Sequence, residues 1–215
     1  MASILPAFPI IPTGTVQIAL MIRHGHSILR GSELTRTLSL SGRDHLRKLA
    51  PFYQSLLAYL EGMIKAEPVF YASEFIRSEL SLWELFAAEQ ILREPALNYE
   101  FTLGDISPEI ENLYYPMPVD DALPELLGLG EFQWVRGFET HCKLMADVAG
   151  YNQFLRYTQD PLIVAGGHEF ALSMQAHHYG KYDELGLYQG WAYLYCLDAD
   201  KRILSIKRIN PIVTK

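Results

Sequence analysis

Three short apolar runs, each breaking off into polar residues, constrain this chain more than any other feature. Val16-Gln17-Ile18-Ala19-Leu20-Met21-Ile22 stops at Arg23-His24-Gly25, and Val69-Phe70-Tyr71-Ala72-Ser73 leads on to Arg77. Leu162-Ile163-Val164-Ala165 stops at Gly166-Gly167-His168-Glu169. Runs of this length with little alternation suit strands buried on both faces, as in a parallel sheet covered by helices above and below.

The stretches between them read as helices. Ser41 or Gly42 opens one, in which Leu46, Leu49, Tyr53, Leu56, Leu57 and Leu60 recur at helical spacing, and Pro51 should kink or restart it. The spacing predicts a second helix from about Ile76 to Leu92, with Leu80, Trp83, Ala87 and Ile91 on one face. Helix-like sequence also follows His168. Near the C-terminus, Ala192 to Leu197 and Arg202 to Ile209 flank Asp198-Ala199-Asp200-Lys201, a hairpin at the sheet edge. The expected fold class is α/β: a three-layer sandwich with a mostly parallel central sheet, helices on both faces and an edge hairpin. Residues 1–215 read as a single domain, with no repeat or linker. The irregular, proline-, acid- and aromatic-rich segment from Glu100 to Gly150 is either a lid over the strand ends or a surface insertion.

Charge and cysteine usage narrow the function classes. A net charge of −7 over 215 residues argues against a nucleic-acid binder, although clustered arginines can still reverse the field within one pocket. Cys142 and Cys196 stand at no metal-ligand spacing and read as two buried thiols in a reducing, cytoplasmic setting. The apolar N-terminus lacks a basic region and is broken by Pro6, Pro9 and Pro12, so a cleaved signal is the weaker reading, and no run is long enough to span a membrane.

In parallel α/β sheets ligands bind beyond the carboxyl ends of the strands, so Arg23 and His24, Ser73 with Arg77, and His168 are the groups expected to converge. A neutral imidazole nitrogen is a competent nucleophile for phosphorus, and a covalent phosphohistidine divides one difficult displacement into two. An adjacent arginine supplies a planar, permanently charged fork for phosphate oxygens. Gly25 would let the chain turn sharply and keep space beside the ring. Taken alone, an Arg-His-Gly triplet is more often a core or helix-cap histidine beside a surface arginine than a nucleophile.

The order of motifs resembles the histidine phosphatase superfamily, the phosphoglycerate mutase-like proteins. The matching segments are Leu20-Met21-Ile22-Arg23-His24-Gly25-His26-Ser27, then Leu38-Ser39-Leu40-Ser41-Gly42, then Tyr71-Ala72-Ser73-Glu74-Phe75-Ile76-Arg77. Leu97-Asn98-Tyr99-Glu100 leading to Gly104-Asp105, and Leu162 to His168, complete the series. The resemblance implies a phosphatase acting on a small phosphomonoester, with no cofactor and no metal. In it His24 attacks phosphorus, Arg23, Arg77 and His168 hold the oxygens, and Glu100 protonates the leaving oxygen and later activates water. A mutase and a protein phosphohistidine phosphatase are alternatives within the same chemistry. Outside it stand an inactive relative that binds a phosphorylated ligand, and a metal-dependent hydrolase using His24-Gly25-His26.

The sequence departs from the family pattern in several places. His26 stands where glutamate is common, and one extra residue precedes Glu100. Arg30 occupies the place of a phosphate-contacting asparagine and either replaces that contact or is solvated. Glu169, directly after His168, and Glu109 are alternative acids. His45, His141, His177 and His178 have no regular spacing and read as structural, and the tyrosines from Tyr179 to Tyr195 as packing.

Overall fold

The computed structural model describes residues 8–28, 35–97, 153–168, 172, 175–176 and 187–211. Gln17–Arg23 forms β1, buried along all seven residues. Its alternate side chains feed two separate cores. Ile18, Leu20 and Ile22 point to one, and Ala19 and Met21 to the other. That two-sided demand explains the nearly continuous apolar run.

Leu40–Ile64 forms α1, with Ser39 as its N-cap accepting a hydrogen bond from the Gly42 backbone N–H at 3.0 Å. The helix runs through Pro51 without restarting. Its buried stripe, Leu46, Leu49, Tyr53, Leu56, Leu57 and Leu60, is the one the spacing indicates. Val69–Ala72 forms β2 and Ile76–Phe86 forms α2. Ile91–Arg93 forms a short strand β3. Leu162–Gly167 forms β4, Ala192–Leu197 β5 and Ile203–Ile209 β6.

Among the described residues these strands make one six-stranded sheet in the order β3-β2-β4-β1-β5-β6. The first four run parallel, and β5 and β6 are antiparallel additions at one edge. The fold is therefore the α/β sheet with an edge hairpin that the strand–helix alternation indicates. Helices α1 and α2 pack on one face. Phe154, Leu155, Leu172 and Ala176 pack on the other. The hairpin turn is held by Asp198, whose Oδ1 accepts from the backbone N–H of Asp200 and Arg202 at 2.9 and 2.8 Å.

The second helix corrects the sequence reading. It ends at Phe86, because Ala87 takes a left-handed conformation at φ 51° and donates its N–H back to Trp83. The chain then turns to add β3 beside β2. The buried face is also different: Arg77, Ser78, Ser81, Leu82, Glu84 and Leu85 point inward, while Trp83 lies half exposed. A hydrophobic period could not find this face, because four of its six residues are polar.

The segment 98–152, which includes the proposed lid, Cys142, His141, Glu100 and Glu109, lies outside the described residues. So do Arg30, Glu169, His177 and His178.

Candidate functional site

The sheet register brings together groups far apart in sequence. Arg23 at the end of β1 pairs with Gly167 at the end of β4, so His24 and His168 leave adjacent parallel strands at the same level. The His24 backbone N–H donates to the Gly167 carbonyl at 3.2 Å, and that of Ser73 to Gly166 at 3.3 Å. The two imidazole rings stand 5.2 Å apart, centre to centre, inclined at 64°.

Arg23 is buried and its guanidinium donates to the Leu187 carbonyl at 2.5 Å. The loop that receives it is pinned from several sides. Tyr53 on α1 donates its hydroxyl to the Gly190 carbonyl at 2.6 Å. Backbone bonds join Arg23 to Trp191 and Gly190 to Arg23. An open cleft lined by His45, Tyr188, Gln189 and Trp191 lies beside this loop. His45 itself is tied to the Gln189 carbonyl at 3.2 Å, a structural partner as its placement on α1 suggests.

Arg77 sits in the first turn of α2 with no exposed surface. Its guanidinium lies over the Phe75 ring at 4.7 Å, and that ring meets His168 edge-on at 4.8 Å. Arg77 Nε donates to His24 Nε2 at 3.3 Å. The other nitrogen of His24, Nδ1, is 2.7 Å from the Gly25 carbonyl oxygen. A carbonyl can only accept and an arginine can only donate, so both contacts assign the His24 proton to Nδ1. Nε2 then carries the lone pair.

Electrostatics agree with that assignment. Burial of the ring, reinforced by the charges of Arg77 and then Arg23, lowers the His24 pKa to about 3, against a weaker opposing effect of the Gly25 carbonyl. His168 is pushed well below its ordinary value, first by burial and then by His24, Arg77 and Arg23. Both rings are neutral at physiological pH. Among the described residues, the positive charge within the cluster therefore rests on the guanidinium groups of Arg23 and Arg77, with a smaller effect of Arg36 on His24.

Gly25 plays a different part from the one its sequence position indicates. Its φ is not left-handed, and what its lack of a side chain provides is room. A Cβ there would come within 2.8 Å of Leu46 and 3.3 Å of Leu38, so the glycine lets the turn bearing His24 settle against α1. Beyond Ser73, which the strand-end reading already includes, further residues of the site escape a motif reading. Ser81 accepts from the Gly25 backbone N–H at 3.0 Å and donates to the Arg77 carbonyl at 2.7 Å. Ser73 Oγ lies 3.0 Å from His168 Nε2 and donates to Ser78 Oγ at 2.8 Å. The charge of Arg36 also reaches His24. The available signal was the placement of Ser81 four residues after Arg77 and three after Ser78, which makes it a neighbour of both on a helix surface.

The structure thus brings Arg23, His24, Arg77 and His168 into one cluster. His26 lies outside it, with its Nδ1 2.8 Å from Ser39 Oγ on the exposed side of α1. Among the described residues no group of three or more histidine, cysteine, aspartate or glutamate side chains could hold a metal ion. Among the same residues no helix is long and apolar enough to cross a membrane.

No protein-family profile and no curated protein matches this sequence. Solved structures do. The chain is similar to the protein histidine phosphatase SixA in its complex with tungstate, at 17% identity and a TM-score of 0.52, over 91% of this chain and 97% of that one. It is similar to a putative alpha-ribazole-5'-P phosphatase from Escherichia coli at 15% identity and a TM-score of 0.58, over 91% and 96% of the two chains. The alpha-ribazole phosphatase from Shigella flexneri matches at 15% identity and a TM-score of 0.56, over 92% and 96%. The likeness extends over nearly the whole of each pair, and the fold is that of the histidine phosphatases.

Proposed function

We propose that this protein is a phosphatase that hydrolyses a small phosphomonoester through a covalent phosphohistidine on His24. The observation that carries the reading is the state of that imidazole: Nδ1–H is bound to the Gly25 carbonyl, and Nε2 keeps its lone pair beside the Arg77 guanidinium. Nε2 would attack phosphorus as the ester P–O bond breaks in line. Arg23, Arg77 and His168 would hold the oxygens, whose charge must be stabilised throughout the displacement. The arriving anion would draw Arg77 Nε from the lone pair to an oxygen, so that the nucleophile is released as substrate binds.

A carboxylic acid must protonate the leaving oxygen and then, as carboxylate, take a proton from the water that attacks the phosphohistidine. Glu100 is the residue proposed for this, with Glu169 and Glu109 as alternatives, and Arg30 as a further phosphate contact. The match to a phosphatase solved with tungstate, a tetrahedral oxyanion, supports the ligand class. Two permanent charges from arginine make a bound metal unnecessary for neutralising the substrate.

The test is rapid-quench labelling with a phosphomonoester carrying labelled phosphorus. Acid-labile, base-stable label should appear on the wild-type protein and be absent from His24→Ala. Label that persists in that variant, or turnover that survives it, removes His24 as the nucleophile.

A further inference from the structure

Ser81 lies one turn beyond Arg77 on the inner face of α2 and is almost wholly buried. Alanine is the better helix former at such a position, and a serine there turns its hydroxyl back on its own helix. Ser81 does so, its Oγ–H donating to the Arg77 carbonyl at 2.7 Å. It also makes a bond that the helix does not need. Its Oγ accepts from the buried Gly25 backbone N–H at 3.0 Å, across 56 positions of sequence.

Chemistry fixes the direction of both bonds. A backbone N–H can only donate and a carbonyl can only accept, so the single Ser81 proton goes to Arg77 and a lone pair receives Gly25. Gly25 is held at its other end as well, since its carbonyl takes the Nδ1 proton of His24 at 2.7 Å. Arg77 Nε donates to His24 Nε2 at 3.3 Å. The four residues thus close a circuit. It leaves Arg77 at the backbone carbonyl, passes through Ser81, Gly25 and His24, and returns to Arg77 at the guanidinium. A glycine has no side chain to anchor it and its backbone turns readily, so the bonds to its N–H and C=O carry its orientation. Without the Ser81 acceptor, the Gly25 N–H is either left buried and unpaired or satisfied by movement of the turn. Such movement would take the Gly25 carbonyl from Nδ1, and Nε2 would lose its aim.

We propose that Ser81 is a positioning residue: it couples the turn that bears His24 to α2, so that His24 Nε2 and the Arg77 guanidinium are held in fixed relation for attack on one phosphoryl group. The attack itself rests on the phosphatase reading above. The hold of Ser81 on the His24 ring, through Gly25, stands on the circuit of bonds alone.

The experiment compares Ser81→Ala with the wild type in three measurements on the full-length protein. The first is NMR of the ligand-free, ¹⁵N-histidine-labelled protein, with the His24 signals assigned by a His24→Asn variant. The His24 Nδ1–H proton should be a downfield, slowly exchanging signal in the wild type. In Ser81→Ala it should move upfield and exchange faster with water. The second is rapid-quench labelling at saturating phosphomonoester, which should form phosphohistidine about tenfold more slowly, the scale of one buried hydrogen bond. The third is inhibition by inorganic phosphate, which reads the arginine cradle rather than the nucleophile and should stay as in the wild type. Ser81→Thr, which keeps the hydroxyl, should restore the signal and the rate. Ser81→Cys fills nearly the same volume with a weak acceptor and should behave as the alanine variant does, so it carries the test if that variant fails to fold.

An unchanged His24 Nδ1–H signal, or an unchanged labelling rate, overturns the proposal. So does a slower rate matched by an equal loss of phosphate affinity, because a displaced α2 would carry Arg77 away with it. If the wild type itself takes no label, the phosphatase reading falls, and the ligand-free signal still decides whether Ser81 holds the His24 ring.

Discussion

At the scale of single residues, Arg77 joins more of the site than any other group. It is fully buried, stacks on Phe75, donates to His24 and anchors Ser81 through its carbonyl. Removing a buried, charge-assisted donor to an anion costs about 2–3 kcal/mol, or roughly 30- to 150-fold in affinity. Arg77→Ala should weaken inhibition by phosphate or vanadate by that factor. Arg77→Lys should recover only part of the loss, since an ammonium keeps the charge and lacks the planar fork. Inhibition constants unchanged in both variants would place the anion elsewhere. The identity of Arg77 was legible from its motif. The proton on Nδ1 of His24 was not, because the Gly25 carbonyl that holds it is a backbone group whose direction depends on the fold.

At the scale of elements, α2 is where pattern and structure part. A helix that served only to cover a sheet would turn Leu80, Trp83 and their neighbours inward. This one buries Arg77, Ser78 and Ser81, and accepts the cost of polar groups in the interior because each meets a partner in the site. Its close seat on β4 depends on Gly166. Gly166→Ala would set a methyl group 3.0 Å from the Ser78 carbonyl oxygen, tighter than ordinary contact between such atoms. The α2 backbone would have to shift, at about 1–3 kcal/mol for an overpacked interior. Urea denaturation should show that loss, and vanadate affinity should fall with it, because Arg77 travels with the helix. Full stability together with full affinity would mean that α2 does not need so close a seat.

At the scale of the whole molecule, a chain of net charge −7 buries two guanidinium groups in one site and keeps two imidazoles neutral around them. That links stability to pH with a definite sign. In the unfolded chain His24 takes up a proton as pH falls through its ordinary value of 6.5, while in the folded protein it does so only near 3. The unfolded state therefore binds more protons throughout that window, so stability falls as pH is lowered from about 6.5 towards 3 and is unaffected by this group above it. His168 acts in the same direction. Denaturation midpoints at pH 7.5 and pH 5 should show a smaller loss on acidification for His24→Asn than for the wild type. Equal losses would mean that the ring is not held neutral in the folded state.

What the sequence determined by itself was the sheet and the identity of its strand-end residues. Buried parallel strands demand apolar runs, and the polar residues after Ile22, after Ala72 and after Ala165 stand out against them. The bounds of α2, the strand β3 and the buried face of α2 were decided by tertiary structure. Ala87 breaks the helix through its left-handed backbone, and Ile91 to Arg93 become a strand because β2 offers an unpaired edge, neither of which a local period records. The same holds for the chemistry. The motifs named Arg23, His24, Arg77 and His168, but their charge states follow from burial and mutual distance. Those quantities exist only once β1, β4 and α2 are packed together.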